Sequence, residues 1–401
     1  MTAKLYHQNG CTQCEATVLD CRANADGTFD ILLDRTAIYP EGGGQLSDTG
    51  YIGSARCTHA RDDGGEIWHR CDKPIEIGQC VHVAADEAVR LDHTQQHTGE
   101  HMLSGLAHSM FGCTNVGFHM ADDIVTVDFD KPLSAEQIAE LELKVNEAIQ
   151  RDEPTRTVTV TPEEYETIEI RKKAKGLKGE ITVVYAGGVD SCTCCGTHCQ
   201  SAGQVGVLKI LSHMNYKGGV RIGFVCGMRA VLSMQQDGAR MDAIARRFST
   251  SADKAVDAVI KQGDELAAIK REFKRRTDML LDYRAKELAE KAELCGKTRA
   301  VVTMEEGLEA NELGFLCEKL CAHGNMVAVV LAQKGENLSY RVARSADVAL
   351  SMRELIQAVN ALFGGKGGGR DDSAQGSAKF NGSAKDSVEQ LKAYVYRRIK
   401  G

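Results

Sequence analysis

The sequence predicts an α+β chain of four segments. Short apolar runs separated by glycine-bearing turns fill the first part, helical and strand periodicities mix in the second, and a charged, glycine-poor stretch precedes a final α/β alternation. At 401 residues there is room for several domains, each with its own core. Residues 1–88 carry "ATVLDC", "FDILLD", "YIGSARC", "EIWHRC" and "CVHVAA", the pattern of a small antiparallel β-barrel. Within it, "YPEGGGQLSDTG" sets three glycines behind Pro40 and Glu41, a loop whose backbone can approach another surface closely.

Residues 89–227 read as an α+β domain. A helix is expected to begin at a capping-box-like Asp92 and Gln95 and to present Met102, Leu103, Leu106 and Met110 to a core. "IVTVDFD" (124–130) and "EITVVYAGG" (180–188) read as strands. In residues 228–296, Val259, Leu266, Phe273 and Leu280 recur every seven positions, which predicts a helix packed along another helix. The intervening Gly263, Lys270 and Thr277 are poor core residues, so a helical hairpin turning near 248–253 is expected rather than a long coiled coil. In residues 297–401, "RAVVTME", "MVAVVLAQ" and "LSYRVAR" alternate as strands with two helical patterns, giving a small α/β domain. Its stretch "FGGKGGGRDDSAQGSAK" is either a nest of backbone amides suited to an anion or a linker. It is not a phosphate-binding P-loop, because no Gly-Lys-Ser/Thr ends it.

Composition excludes several classes. With 43% hydrophobic and 26% charged residues and no run near the roughly 20 apolar residues a membrane span needs, no membrane partner is expected. The start shows no basic-then-apolar secretory pattern. Fifteen cysteines without an export signal then point to a reducing, cytoplasmic setting, as thiols or metal ligands. The net charge of −7 does not advertise nucleic-acid binding. Two local clusters, "RKKAKGLK" (171–178) and "KREFKRR" (270–276), are solvated faces or a grip on a polyanion.

Two short stretches carry the chemistry. "HTGEHMLSGL" places His97 and His101 four apart on one helical face, and "CTCCGTHC" repeats that spacing in Cys194 and His198. One such pair is weak evidence, but two supply three imidazoles and a thiolate, a donor set that suits zinc. His93 and His119 are assigned to pocket or structural roles, and Cys11 and Cys14 have no matching second pair.

At these residues the sequence also resembles a family. "YPEGGGQLSDTG", "RLDHTQQHTGEHMLSGL", "GFHM" and "CCGTHCQSAGQVGVLKI" resemble in order the long form of the freestanding alanyl-tRNA editing proteins, AlaX, which are similar to the editing domain of alanyl-tRNA synthetase. "GGKGGGRDDSAQGSA" resembles the glycine-rich motif in the last domain of that synthetase, shared with DHH-family phosphoesterases. No aminoacylation core precedes the editing region, so a complete synthetase is not expected. The resemblance implies one zinc per chain on His97, His101, Cys194 and His198. It departs where the family reads Cys-Gly-Gly-Thr-His: here the second position is Cys195, with Cys192 and Cys199 nearby, so the thiol register stays open although spacing selects Cys194. Gln95, Glu100 and Thr197 become the catalytic candidates. Arg221, Lys172, Lys173, Arg275, Lys366 and Arg370 become the substrate- and tRNA-binding candidates.

The implied activity is hydrolysis of seryl, and sometimes glycyl, esters on the 3′ adenosine of mischarged alanine tRNA. The implied partners are that tRNA and a second copy met through the C-terminal half. The rival readings are a non-catalytic tRNA- or synthetase-binding protein with structural zinc, and a phosphoesterase, which lacks its metal-binding half here.

Overall fold

The computed structural model describes residues 1–8, 10–174, 176, 181–380 and 385–400; Lys175 and Lys178 of the first basic cluster lie outside them. The chain divides into two compact units, Met1–Ile244 and Ala245–Gly401.

The first unit begins with a closed barrel of six strands: β1 (Gln13–Ala23), β2 (Phe29–Leu33), β3 (Gly50–Ile52), β4 (Ala55–Asp63), β5 (Glu66–Cys71) and β6 (Cys80–Ala85), in the order β1-β2-β5-β4-β3-β6. Alternating residues such as Val18, Ile31, Leu33, Ile52 and Val83 fill its interior. Closure removes the sheet edges that would otherwise invite association.

His69 is buried within this barrel, where Nδ1 meets the Ile31 carbonyl oxygen at 3.1 Å and Nε2 meets the Thr36 hydroxyl at 2.9 Å. Burial pushes its pKa from 6.5 down to about 4, against a smaller opposing contribution from the Ile31 bond. The folded value lies below the unfolded one, so this stabilisation is complete above about pH 6.5 and is lost as pH falls towards 4. The gap corresponds to about 3 kcal/mol. Urea midpoints followed by Trp68, the chain's single tryptophan and the neighbour of His69, are expected to fall across that window. His69→Gln should flatten the fall; equal slopes would remove His69 as its cause.

From the barrel the chain enters α1 (Glu87–Phe111). Its N-cap is Asp86, which accepts from the amides of Ala88 and Val89, so the helix starts six residues before the expected Asp92. Asp92 instead accepts from Gln96 and pairs with Arg229. An acidic residue three places before a glutamine matched the capping pattern, but a better-placed aspartate lay upstream. Strands β7 (Asn115–Met120) and β8 (Val125–Phe129), helix α2 (Ala135–Arg151), strand β9 (Arg156–Val160) and helix α3 (Pro162–Thr167) follow. Strands β10 (Ile181–Ala186), β11 (Asp190–Thr193), β12 (Leu208–Tyr216) and β13 (Gly219–Cys226) complete two antiparallel sheets, β12-β13-β8-β7 and β9-β10-β11. Met102 and Leu103 of α1, Leu141 and Val145 of α2, and Val127, Ile222 and Phe224 of the larger sheet share one core. Gly99 lets α1 lie tightly on β13, since a Cβ there would stand 2.2 Å from Cys226 Sγ. The unit boundary falls within α4 (Gly227–Arg247).

The second unit contains α5 (Ala255–Glu290), β14 (Glu293–Cys295), β15 (Thr298–Glu306), α6 (Ala310–Cys321), β16 (Met326–Lys334) and β17 (Asn337–Arg344). Helix α7 (Met352–Phe363), β18 (Lys366–Gly369), β19 (Ser373–Lys379) and α8 (Lys385–Lys400) complete it. The sheet order is β14-β15-β16-β17-β19-β18, parallel only between β15 and β16, where α6 makes the crossover. Alternate residues of β16 face opposite sides: Val327, Val329 and Leu331 meet α7 and α8, while Ala328 and Val330 meet α6 and the end of α5.

Three sequence readings change here. The heptad row Val259, Leu266, Phe273 and Leu280 is exposed, and α5 buries Leu281, Ala285 and Leu288 instead. The glycine-rich stretch is neither a nest nor a linker, because Lys366–Gly369 pairs with Ser373–Lys379 as an antiparallel hairpin. Absent side chains disguised a strand whose backbone groups alone make the ladder. Helix α8 had no counterpart in the sequence reading.

Candidate metal centre

Helix α1 places His97 and His101 one turn apart, both buried. The loop after β11 returns Cys194 and His198 to them, so that one donor atom from each of the four residues lies within 4.8 Å of the others. Cys194 Sγ is 3.4 Å from His97 Nε2, and His198 Nε2 is 3.2 Å from His101 Nε2. Gly196 makes the loop's approach feasible, because a Cβ there would lie 2.2 Å from the His97 ring.

A second layer fixes which nitrogens face inward. His97 Nδ1 meets Gln45 Oε1 at 2.8 Å, and the same oxygen accepts from the Thr197 amide at 3.0 Å. Gln45 Nε2 in turn donates to Thr197 Oγ1, which also meets Thr94 Oγ1. His101 Nδ1 meets Asp190 Oδ2 at 2.9 Å, and Arg171 clasps that carboxylate through two bonds of 2.5 and 2.9 Å. Both Nδ1 atoms are thus occupied, leaving two Nε2 lone pairs, the His198 ring and a thiol to converge. Such a set of acceptors needs a shared proton or a cation, and an acceptor-oriented imidazole is how metal-ligating histidines are held.

The charge balance points the same way. Burial opposes charge on His101, yet the neighbouring Cys192 and Cys194 sulfurs and the Asp190 bond hold its pKa well above the ordinary value. Burial also opposes ionisation of Cys194, but the three surrounding imidazoles, His97 first, draw its thiol well below the usual range. Burial dominates at His198, pushed down to about 4. Asp190, despite burial, is held below the carboxylate range by Arg171 and His101. A thiolate ringed by imidazoles suits a divalent cation.

Two clefts open beside the cluster. One, of about 300 Å³, is lined by His97, Glu100, His101, Cys194, Lys172 and Lys173. The other, of about 370 Å³, is lined by Tyr6, Arg90, Thr94, Thr197 and His198. Glu100 is buried, with Oε1 accepting from Ser104 and Asn115 at 2.5 and 2.6 Å. Lys172 and Lys173 donate to the carbonyls of Asn115 and Glu166.

The remaining candidates lie elsewhere. Gln95 turns from the cluster to donate to the Gln204 carbonyl. Arg221 is held by Asp128 at 2.6 and 2.7 Å, over the Tyr216 ring, and lines neither cleft. In the second unit, Arg275 pairs with Glu272, Lys366 lines a separate cleft of about 510 Å³, and Arg370 stands exposed near Asp372. Of the neighbouring thiols, Cys195 is exposed and outside the four-donor group, and Cys199 is buried in the core beside Thr98. Cys192 sits 3.3 Å from His101 Nδ1, forming a second group with His101 and Asp190. His93 is buried, and His119 lines a cleft with the Gly42–Gly44 loop.

Residues 181–222 match the family described as the threonyl and alanyl tRNA synthetase second additional domain, and residues 296–400 match the DHHA1 domain. The alanyl-tRNA editing protein AlaX-L of Pyrococcus horikoshii is 28% identical over 98% of this chain and 100% of its own length. The chain is similar to the alanyl-tRNA editing proteins along its whole length. The alanyl-tRNA editing protein Aarsd1 of Rattus norvegicus is 31% identical over 58% of each chain. The alanine–tRNA ligase of Thermofilum pendens is 28% identical over 99% of this chain, which spans 44% of that enzyme.

Gln45, Asp190, Arg171 and Thr94 were not singled out from sequence. Gln45 sits inside the quoted "GGGQ", whose glycines drew attention to backbone rather than to the amide that follows. Arg171 was counted in a basic cluster facing solvent, but its guanidinium is committed to Asp190. Only distant pairing, 89 residues apart for His101 and Asp190, joins these groups, and no local pattern signals it.

Proposed function

We propose that this chain hydrolyses the ester of mischarged alanine tRNA in trans, acting on seryl and glycyl esters with one zinc held by His97, His101, Cys194 and His198. The convergence of those four donors beside a cleft lined by Lys172 and Lys173 carries the reading. A zinc ion held by these four residues would supply a Lewis acid able to orient the amino or hydroxyl group of the aminoacyl end. Gln45 and Asp190 hold the imidazoles so that Nε2 points to the cluster. Glu100, fixed through Oε1 by Ser104 and Asn115, offers its carboxylate to the substrate ammonium. The Lys172 and Lys173 ammonium groups attract the phosphates of the acceptor end. The Thr197 and Thr94 hydroxyls give the second cleft groups able to bond a seryl hydroxyl, and a pocket built around such a bond rejects the alanyl ester that lacks it. Lys366, Arg370 and Arg275 would meet the tRNA body. Among the described residues no helix is long and apolar enough to cross a membrane.

One observation favours a non-catalytic alternative: four protein donors leave no open position on a tetrahedral zinc, unlike most catalytic sites. Incubation with seryl-, glycyl- and alanyl-charged alanine tRNA separates the two. Loss of seryl ester with alanyl ester retained supports the hydrolase. Seryl ester surviving as long as in buffer sinks it.

A further inference from the structure

The four donors of the cluster do not stand alike. His97, His101 and Cys194 line the cleft that carries Lys172 and Lys173, whereas His198 alone of the four lines the second cleft, of about 370 Å³. The two α1 imidazoles are buried and held from behind, His97 by Gln45 at 2.8 Å and His101 by Asp190 at 2.9 Å. His198 is half-buried and its ring meets only the cluster. Its Nε2 lies 3.2 Å from His101 Nε2, and among the described residues no group outside the four donors hydrogen-bonds the ring.

The backbone on either side of His198 is pinned. The Thr197 amide donates to Gln45 Oε1 at 3.0 Å, and the Cys199 amide donates to Thr98 Oγ1 at 2.9 Å. The imidazole can therefore move by rotation about its own side-chain bonds, between staggered wells, with the loop left in place. The second cleft gives the ring somewhere to go. Thr155 lines that cleft, and its buried Oγ1 has no hydrogen-bond partner among the described residues.

We propose that His198 is the exchangeable member of the donor set, turning into the second cleft and yielding its place to a small oxygen or nitrogen ligand. The inference rests on the metal centre proposed above and deepens it. Catalytic zinc sites keep three protein ligands and one open position, whereas structural sites are closed by four. His97, His101 and Cys194 are then the permanent three. The position that His198 yields faces the cleft holding Thr94 and Thr197, whose hydroxyls meet at 2.9 Å. A closed resting set and a reactive open one are thus compatible in one chain.

Cobalt(II) in place of zinc reports the donor set through its visible absorption, without reference to hydrolysis. His198→Ala is expected to weaken cobalt binding by about tenfold to a hundredfold less than His97→Ala does, the range that fixing a ligand's orientation is worth. Added imidazole should restore the original cobalt spectrum in His198→Ala, because the second cleft admits it. It should not do so in His97→Ala, whose place is enclosed by Gln45 and Gly196. In zinc-loaded protein labelled with ¹⁵N-histidine, relaxation dispersion should show exchange at the His198 ring and none at His97 or His101. That measurement uses the unaltered chain, so it decides the matter if a variant fails to fold. Equal loss of cobalt in two folded variants, imidazole rescue of both or of neither, or a His198 ring as free of exchange as the other two would overturn the proposal. An unaltered chain that binds no cobalt would remove the metal centre itself, and this inference with it.

Discussion

Changing His97 and His101 together to alanine is expected to abolish metal binding at the proposed centre and to lower the proposed seryl-ester hydrolysis by a hundredfold to a thousandfold. The two residues supply half of the donors, and two alanines leave only Cys194 and His198 to hold an ion. Metal-assisted stabilisation of developing charge is worth several kcal/mol, and each 1.36 kcal/mol is about tenfold in rate. The thiol register is tested alongside. Cys194→Ala should lose metal and hydrolysis together, because its sulfur lies 3.4 Å from His97 Nε2. Cys195→Ala should keep most of both, because Cys195 is exposed and outside the cluster. Elemental analysis showing metal retained in the double histidine variant would sink the site. Loss in Cys195→Ala alone would move the thiolate by one residue.

Periodic local signals made the barrel, the α1 face and the strands of the last domain legible in the sequence. The four donors were legible because helical spacing and a tight loop each bring two of them together without long-range information. The layer behind them was not, since Gln45, Asp190 and Arg171 acquire meaning only when the barrel loop, β11 and α1 meet. Failures at the helix start and in the glycine stretch share one cause. Asp92 and Lys366–Gly369 both fitted local motifs, but the backbone hydrogen bonds were satisfied elsewhere, by Asp86 in one case and by β19 in the other. The heptad on α5 is real as a pattern, yet within one chain its side chains stay exposed.

Arg90 ties the barrel to the start of α1, and losing it should be the most destabilising single change in the first unit. Its guanidinium pairs with the buried Asp48 carboxylate, with Nε at 2.9 Å from Oδ2, and also donates to the carbonyls of Cys11 and Ala37. Asp48 Oδ2 accepts from the Tyr39 amide as well. Arg90→Met leaves a buried carboxylate with no counter-charge and should cost about 3–5 kcal/mol. Asp48→Leu should cost a similar amount, because it strands the guanidinium. The double variant should recover part of the loss, since the uncompensated charge is gone, while the Cys11 and Ala37 carbonyls still lack their donor. Function should follow stability. Arg90 lies seven residues before His97 on the same helix, and Asp48 lies three after Gln45, which holds the His97 ring. Loosening either partner should therefore weaken metal affinity by about tenfold to a hundredfold, the range seen when a group orienting a ligand is lost. Urea midpoints and metal titration of the three variants test both halves. If Arg90→Met cost under about 1 kcal/mol, no more than an exposed pair is worth, the anchoring role would be lost. If the fold weakened with metal affinity unchanged, the barrel would be shown not to hold the centre in place.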